Sequence, residues 1–75
     1  MPNPNIEHIT ANSSNIKTIM YNHETEELMI EFKYNDKVYC YSNVPSEVID
    51  ELKDAESMGS FVAKKIKNIY DWEVV

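Results

Sequence analysis

In 75 residues the sequence has no arginine, one cysteine (Cys40) and one glycine (Gly59). Each scarcity excludes something. Without arginine there is no planar fork for bidentate grip on a phosphate. The 13 acidic residues against 7 lysines leave a net charge of −6, which also counts against a stand-alone nucleic-acid binder. A single cysteine excludes an internal disulfide and fits a reducing, cytoplasmic setting. No apolar run approaches the roughly 18 residues of a membrane span, and the polar opening Met1-Pro2-Asn3-Pro4-Asn5 is unlike a secretory leader. Cys40, His8 and His23 are too few and too scattered for the roughly four ligands of a structural zinc. No nucleophile–base pair or convergent carboxylates stand out, so no catalytic residue, metal or small-molecule cofactor is expected.

What is present is enough for one small core. The chain is 43% hydrophobic with eight aromatic residues, well outside the composition of a disordered segment. A domain this short buries only about 60% of its unfolded surface, so its stability should be modest. Charge is unevenly placed: residues 1–57 hold 11 acids and 4 lysines, whereas residues 58–75 hold 3 lysines and 2 acids. Abundant Asn, Ile, Lys and Glu without arginine suggests an AT-rich bacterial or phage genome.

The chain is organised around Lys37–Pro45, an alternating strand halted by a proline that cannot continue a ladder and suits the first position of a helix. Before it, Ile16–Tyr21 and Leu28–Tyr34 read as strands, the second with Leu28, Ile30, Phe32 and Tyr34 on one face. Asn35-Asp36 reads as a two-residue hairpin turn. That turn predicts Phe32 opposite Tyr39 and Ile30 opposite Tyr41, both tyrosines joining the apolar face while Glu31, Lys33, Val38, Cys40 and Ser42 take the wetted one. Carried through the preceding turn, the register sets Ile19 beside Ile30 and Tyr21 beside Leu28. Ile16 and Met20 then point outward, which calls for a bulge or a partly covered outer face.

After Pro45, the apolar residues Val48, Ile49, Leu52 and Ala55 fall at helical spacing, with Glu47, Asp50, Glu51 and Asp54 outside. Ser57 caps a second helix, Gly59 allows a tight corner, and Met58, Phe61, Val62, Ile66, Ile69 and Tyr70 form its apolar stripe. Lys64, Lys65 and Lys67 share its wet side. The expected architecture is α+β: a three-stranded antiparallel meander followed by two helices packed on one face. Residues 1–13 are expected as a flexible arm whose Ile6–Ile9 touches the body, 14–70 as the single domain, and 71–75 as a tail anchored or exposed by Trp72.

In order, Ser13-Ser14-Asn15-Ile16, Ile19-Met20-Tyr21, Ile30-Glu31-Phe32, Val38-Tyr39-Cys40-Tyr41, Asn43-Val44-Pro45, Ala55–Phe61 and Ile66-Lys67 with Tyr70 resemble the KTSC domain. That family is named from the C-terminus of some lysyl-tRNA synthetases, and most members are small free-standing bacterial or phage proteins. The resemblance implies the α+β fold and, through the synthetase attachment, RNA as a proposed ligand.

Two sets of residues carry the functional question. Tyr39 and Tyr41 suit base stacking on a sheet face, yet their pairing with Phe32 and Ile30 favours packing beneath Val48, Leu52, Val62 and Ile66. Lys64, Lys65 and Lys67 suit phosphate contacts, yet such a cluster is more often a solvated helix face. Self-capping by Ser57 and Ser60 is the better use of the second helix's free N–H groups than an anion. The resulting expectation is a non-enzymatic binding domain, first for a protein partner in an interaction or regulatory role and second for RNA. The sequence leaves the oligomeric state open.

Overall fold

The computed structural model describes residues 5–75. The chain forms β1 (Ile6–Ile9), β2 (Ile16–Asn22), β3 (Glu27–Phe32), β4 (Val38–Tyr41), α1 (Ser46–Asp54), α2 (Met58–Phe61), which runs on into a π-helical segment Val62–Ile66, and β5 (Trp72–Val74). The strands make one antiparallel sheet in the order β1-β2-β3-β4-β5. The fold is therefore α+β as expected, with five strands rather than three. Both extra strands come from the stretches expected as arm and tail: Ile6–Ile9 pairs with β2, and Trp72–Val74 returns after the helices to pair with β4. They are three and four residues long, too short for alternation to distinguish them from loop. Met1–Pro4, the start of the expected arm, lies outside the described residues.

The β2–β3 register is the expected one, with Ile19 opposite Ile30 and Tyr21 opposite Leu28. A bulge between Ile16 and Thr18 turns Ile16 back into the core, where it is fully buried, while Met20 stays on the outer face opposite Met29. The β3–β4 register differs from expectation by two residues: Tyr39 faces Ile30 and Tyr41 faces Leu28. A two-residue turn of the favoured kind needs positive φ at both positions, but only Asp36 adopts it (φ 53°). The connection is instead a longer loop in which Asn35 Oδ1 accepts from the Lys37 N–H (3.1 Å) and the Phe32 N–H reaches the Lys37 carbonyl (3.4 Å). A slip of two preserves the faces, so both tyrosines remain on the apolar side.

α1 packs Ile49 and Leu52 into the core, with Glu47 in its first turn and Lys53 in its last complementing the helix dipole. Pro45 stands at its N-cap in extended conformation (φ −69°, ψ 153°), one position earlier than expected, and Ala55 leaves helical geometry at the other end. Tyr21 ties this helix entry to the sheet: its buried hydroxyl donates to the Val44 carbonyl at 2.5 Å. Ser57 caps α2, accepting from the Ser60 N–H (3.3 Å). Gly59 does not serve a positive-φ corner. A Cβ there would meet Ser13 Oγ at 2.9 Å, so glycine lets the segment before β2 pass close over the helix. Asn12 clasps the same corner, with its amide oxygen accepting from the Met58 N–H and its amide nitrogen donating to the Ala55 carbonyl, both at 3.4 Å. The helices, with Ile9, Ile16, Ile19, Tyr21, Leu28, Ile30 and Tyr41 from the sheet, enclose the core.

Candidate functional site: an aromatic cleft at the open half of the sheet

The helices cover the inner face over β1, β2 and β3 more fully than over β4 and β5. The uncovered part is a cleft of about 410 Å³. Its sheet side is Phe32, Tyr39, Tyr41, Tyr34 and Trp72; its helix side is Gly59, Val62, Ala63 and Lys67; Asn15 closes one end. The register makes this arrangement. Tyr39 and Tyr41 sit on the inner face of β4, and Trp72 and Val74 come beside them on β5, with Trp72 opposite Tyr41 and Val74 opposite Tyr39.

The rings form a connected run. Phe32 contacts Tyr34 and Tyr39 at centroid distances of 5.4 Å each, and Tyr39 meets Trp72 edge-on at 5.2 Å and 67°. Asn35 Nδ2 donates to the Tyr39 hydroxyl at 3.0 Å and fixes that ring's outer end. The run grades from inside to outside: Tyr41 is 2% exposed, Tyr39 is half-buried, Trp72 is 53% exposed and Tyr34 67%. Burial, with smaller contributions from Tyr34 and Tyr39, pushes the Tyr41 phenol above its ordinary pKa. At neutral pH it is a neutral hydrogen-bonding group and not a base.

The sequence-derived candidates divide. Tyr41 is the core residue it was expected to be, whereas Tyr39 is only half-buried and belongs to the cleft wall as much as to the core. Lys67 lines the same cleft, but Lys64 and Lys65 are exposed helix residues outside it. Of the three lysines only Lys67 reaches the cleft. The physical reason is the π segment: the Lys67 N–H bonds to the Val62 carbonyl five residues back (2.8 Å), and that wider turn shifts Lys67 relative to an α-helical projection. Ile69, expected in the apolar stripe, lies in the turn after the helix and is 61% exposed. Trp72 was missed as a site residue because its position depends on β5, and Tyr34 because strand alternation assigned it to the core.

Cys40 lies on the opposite face of the sheet, buried, with its thiol 3.6 Å from Glu27 Oε2. Burial and the nearby Glu27 and Glu73 carboxylates push the thiol up, which makes it a poor nucleophile. Among the described residues no group of three or more His, Cys, Asp or Glu side chains is placed to hold a metal ion, and no helix is long and apolar enough to cross a membrane.

The description "KTSC domain" fits residues 12–70, as a match to that family's sequence model. Among solved structures, the chain is similar to a KTSC domain protein from Yersinia pestis, with 26% identity, a TM-score of 0.85, and coverage of 93% of this chain and 97% of that one. A search of curated proteins finds no match.

Proposed function

From the premise that this chain belongs to the KTSC domain family, whose pattern spans residues 12–70, we propose that it is a non-enzymatic interaction module that receives an apolar or aromatic side chain of a partner protein in the cleft. The observation that carries this reading is the graded aromatic wall, anchored by buried Tyr41 and left open at Tyr34 and Trp72. Tyrosine and tryptophan in a concave, partly desolvated setting are the side chains that most often dominate binding energy. Seating one leucine- or phenylalanine-sized group there would gain about 1.5–3 kcal/mol from burial, with roughly 0.5–1.5 more where rings stack. Lys67 also lines the cleft, and a lysine there suits an apolar ligand through its aliphatic stem while its ammonium stays hydrated.

RNA is the second reading, favoured by one observation: Lys67 shares the cleft with Tyr39 and Tyr41, a stacking surface beside a cation. Against it stands the net charge of −6. Trp72 is the only tryptophan and lines the cleft, so its fluorescence reports entry of either ligand. Short apolar peptides are expected to change that signal, and Ala63→Phe, which fills the cleft from an exposed helix position, should abolish the change. Submicromolar binding of single-stranded RNA, with a salt slope of about −2 for three phosphate contacts and lost on charge reversal of Lys64, Lys65 and Lys67, would replace the protein reading with the RNA one.

A further inference from the structure

The two edges of the sheet are finished in different ways. At β1, Glu7 lies at an inner-face position opposite Tyr21, and its carboxylate is gripped by Lys53 (2.6 Å) and His23 (2.8 Å). An inward-facing charge with its partners is a common device for closing a sheet edge to further strands. β5 has no such guard. Trp72-Glu73-Val74 carries no lysine, proline or bulge, and all three residues are exposed. Its ladder to β4 uses the odd-numbered residues: the Asp71 carbonyl accepts from the Ser42 N–H and the Val75 N–H donates to the Val38 carbonyl, each at 2.9 Å. By the alternation of an antiparallel ladder, the N–H and C=O groups of Trp72 and Val74 point away from β4, to the open edge. Their side chains, which alternate with those backbone directions by residue, point to the cleft side, while Asp71 and Glu73 occupy the outer-face positions.

Building on the cleft reading above, we propose that β5 is a docking edge for an extended basic segment of a partner protein, added as an antiparallel sixth strand. Cross-strand neighbours share a face, so the segment's apolar residues lie beside Trp72 and Val74 and reach the cleft, while alternate lysines or arginines lie beside Asp71 and Glu73. The acidity of that outer face extends to β4's neighbour strand, since Glu27 and Glu73 both act on Cys40. A second copy of this chain fits the edge poorly. Antiparallel self-pairing about Glu73 sets Glu73 against Glu73, and about Trp72 it sets Asp71 against Glu73, like charges directly opposed.

The test uses the full chain, Trp72 fluorescence, and the capped heptapeptide KVKFKVK with three relatives: its glutamate twin EVEFEVE, a form N-methylated on the apolar residues, and a form N-methylated on the lysines. In an antiparallel addition the peptide's apolar residues exchange hydrogen bonds with Trp72 and Val74, so methylating them should weaken binding about tenfold or more, and methylating the lysines should not. Val74→Pro removes only an edge-facing donor and should weaken binding similarly while leaving the urea midpoint near that of the wild type. Binding of EVEFEVE equal to that of KVKFKVK, no response to KVKFKVK, or indifference to both methylation patterns overturns the proposal. Greater sensitivity to the lysine-methylated form overturns the antiparallel register. A dimer in light scattering that Val74→Pro dissolves overturns it in favour of a second copy as the occupant. Binding that ignores Val74→Pro but is lost in Ala63→Phe sinks the docking edge and leaves the cleft standing, whereas binding that ignores Ala63→Phe sinks the cleft reading itself.

Discussion

The β1–β3 half of the sheet and the β4–β5 half are built from the same kinds of residue and end in opposite conditions. Over the first half, α1 and the segment beginning at Met58 bury Ile19, Tyr21, Leu28 and Ile30 completely. Over the second half only Tyr41 is so deeply buried, and the rings of Tyr39, Trp72 and, in the loop before β4, Tyr34 are progressively exposed. Both halves carry tyrosines on the inner face, but those tyrosines are used differently. Tyr21 spends its hydroxyl inside, on the Val44 carbonyl, to hold the entry to α1. Tyr39 points its hydroxyl to the loop at Asn35 and leaves part of its ring to the cleft. The first half is spent on stability, and the second leaves apolar surface uncovered that a domain of this size could have used for its own core.

The largest test of this contrast is a pair of truncations. Tyr41→Ala, at the buried end of the aromatic run, should destabilise by about 3–5 kcal/mol, a large share of what so small a domain possesses. Tyr39→Ala should lose clearly less, about 1–3 kcal/mol, because its ring is already half out. Equal losses in urea unfolding would mean that the aromatic run is not graded and that the β4–β5 half is closed along its length. Next in size, Tyr21→Phe leaves the buried Val44 carbonyl without its partner and should cost about 1–2 kcal/mol, whereas removing the Tyr39 hydroxyl in Tyr39→Phe should change the midpoint little.

Smaller effects sharpen the comparison at the edges. The Lys53 ammonium and then His23 hold the Glu7 carboxyl below its ordinary pKa, and Glu7 in turn holds Lys53 above its own. A depressed acid contributes its stability above the unfolded carboxyl pKa of about 4.3 and loses it as pH falls through the lower folded value. Acidification should therefore loosen β1 first. Amide exchange at Ile6–Ile9 should rise below about pH 4 in the wild type, and Glu7→Gln should show that faster exchange already at neutral pH. β5, with no ion pair of this kind among the described residues, should show no matching step. Smallest of all, Cys40→Ser should stay within about 1 kcal/mol of the wild type, and the native thiol should react slowly with iodoacetamide until the pH exceeds the usual thiol range.

What could be read from the sequence follows the same division. The β2–β3 register, the bulge at Ile16, the α1 stripe and the Ser57 cap were legible because each rests on a local rule with several residues agreeing. The two-residue error at Asn35-Asp36 arose because residue types that tolerate positive φ do not dictate how many positions adopt it. Parity survived the error, so Tyr39 and Tyr41 were still placed on the correct face. The cleft was only half legible. Tyr39, Tyr41 and Lys67 were named, and of the three candidate lysines only Lys67 lines the cleft. Trp72 depends on a three-residue strand paired to a segment more than 30 residues earlier, and the position of Lys67 on a π turn that no local signal announces. Long-range pairing and a rare helical geometry decide the site, and neither has a pattern in the chain.

The central claim, that the β4–β5 half is the working surface, is tested most directly by mapping amide chemical shifts on addition of KVKFKVK to the labelled chain. The account predicts shifts concentrated at Tyr34, Tyr39, Ala63, Lys67 and residues 71–75, with Ile6–Ile9 and the outer face of α1 unmoved. Shifts centred on the acidic side of α1, at Glu47, Asp50, Glu51 and Asp54, would show a basic peptide held by charge alone and would contradict it.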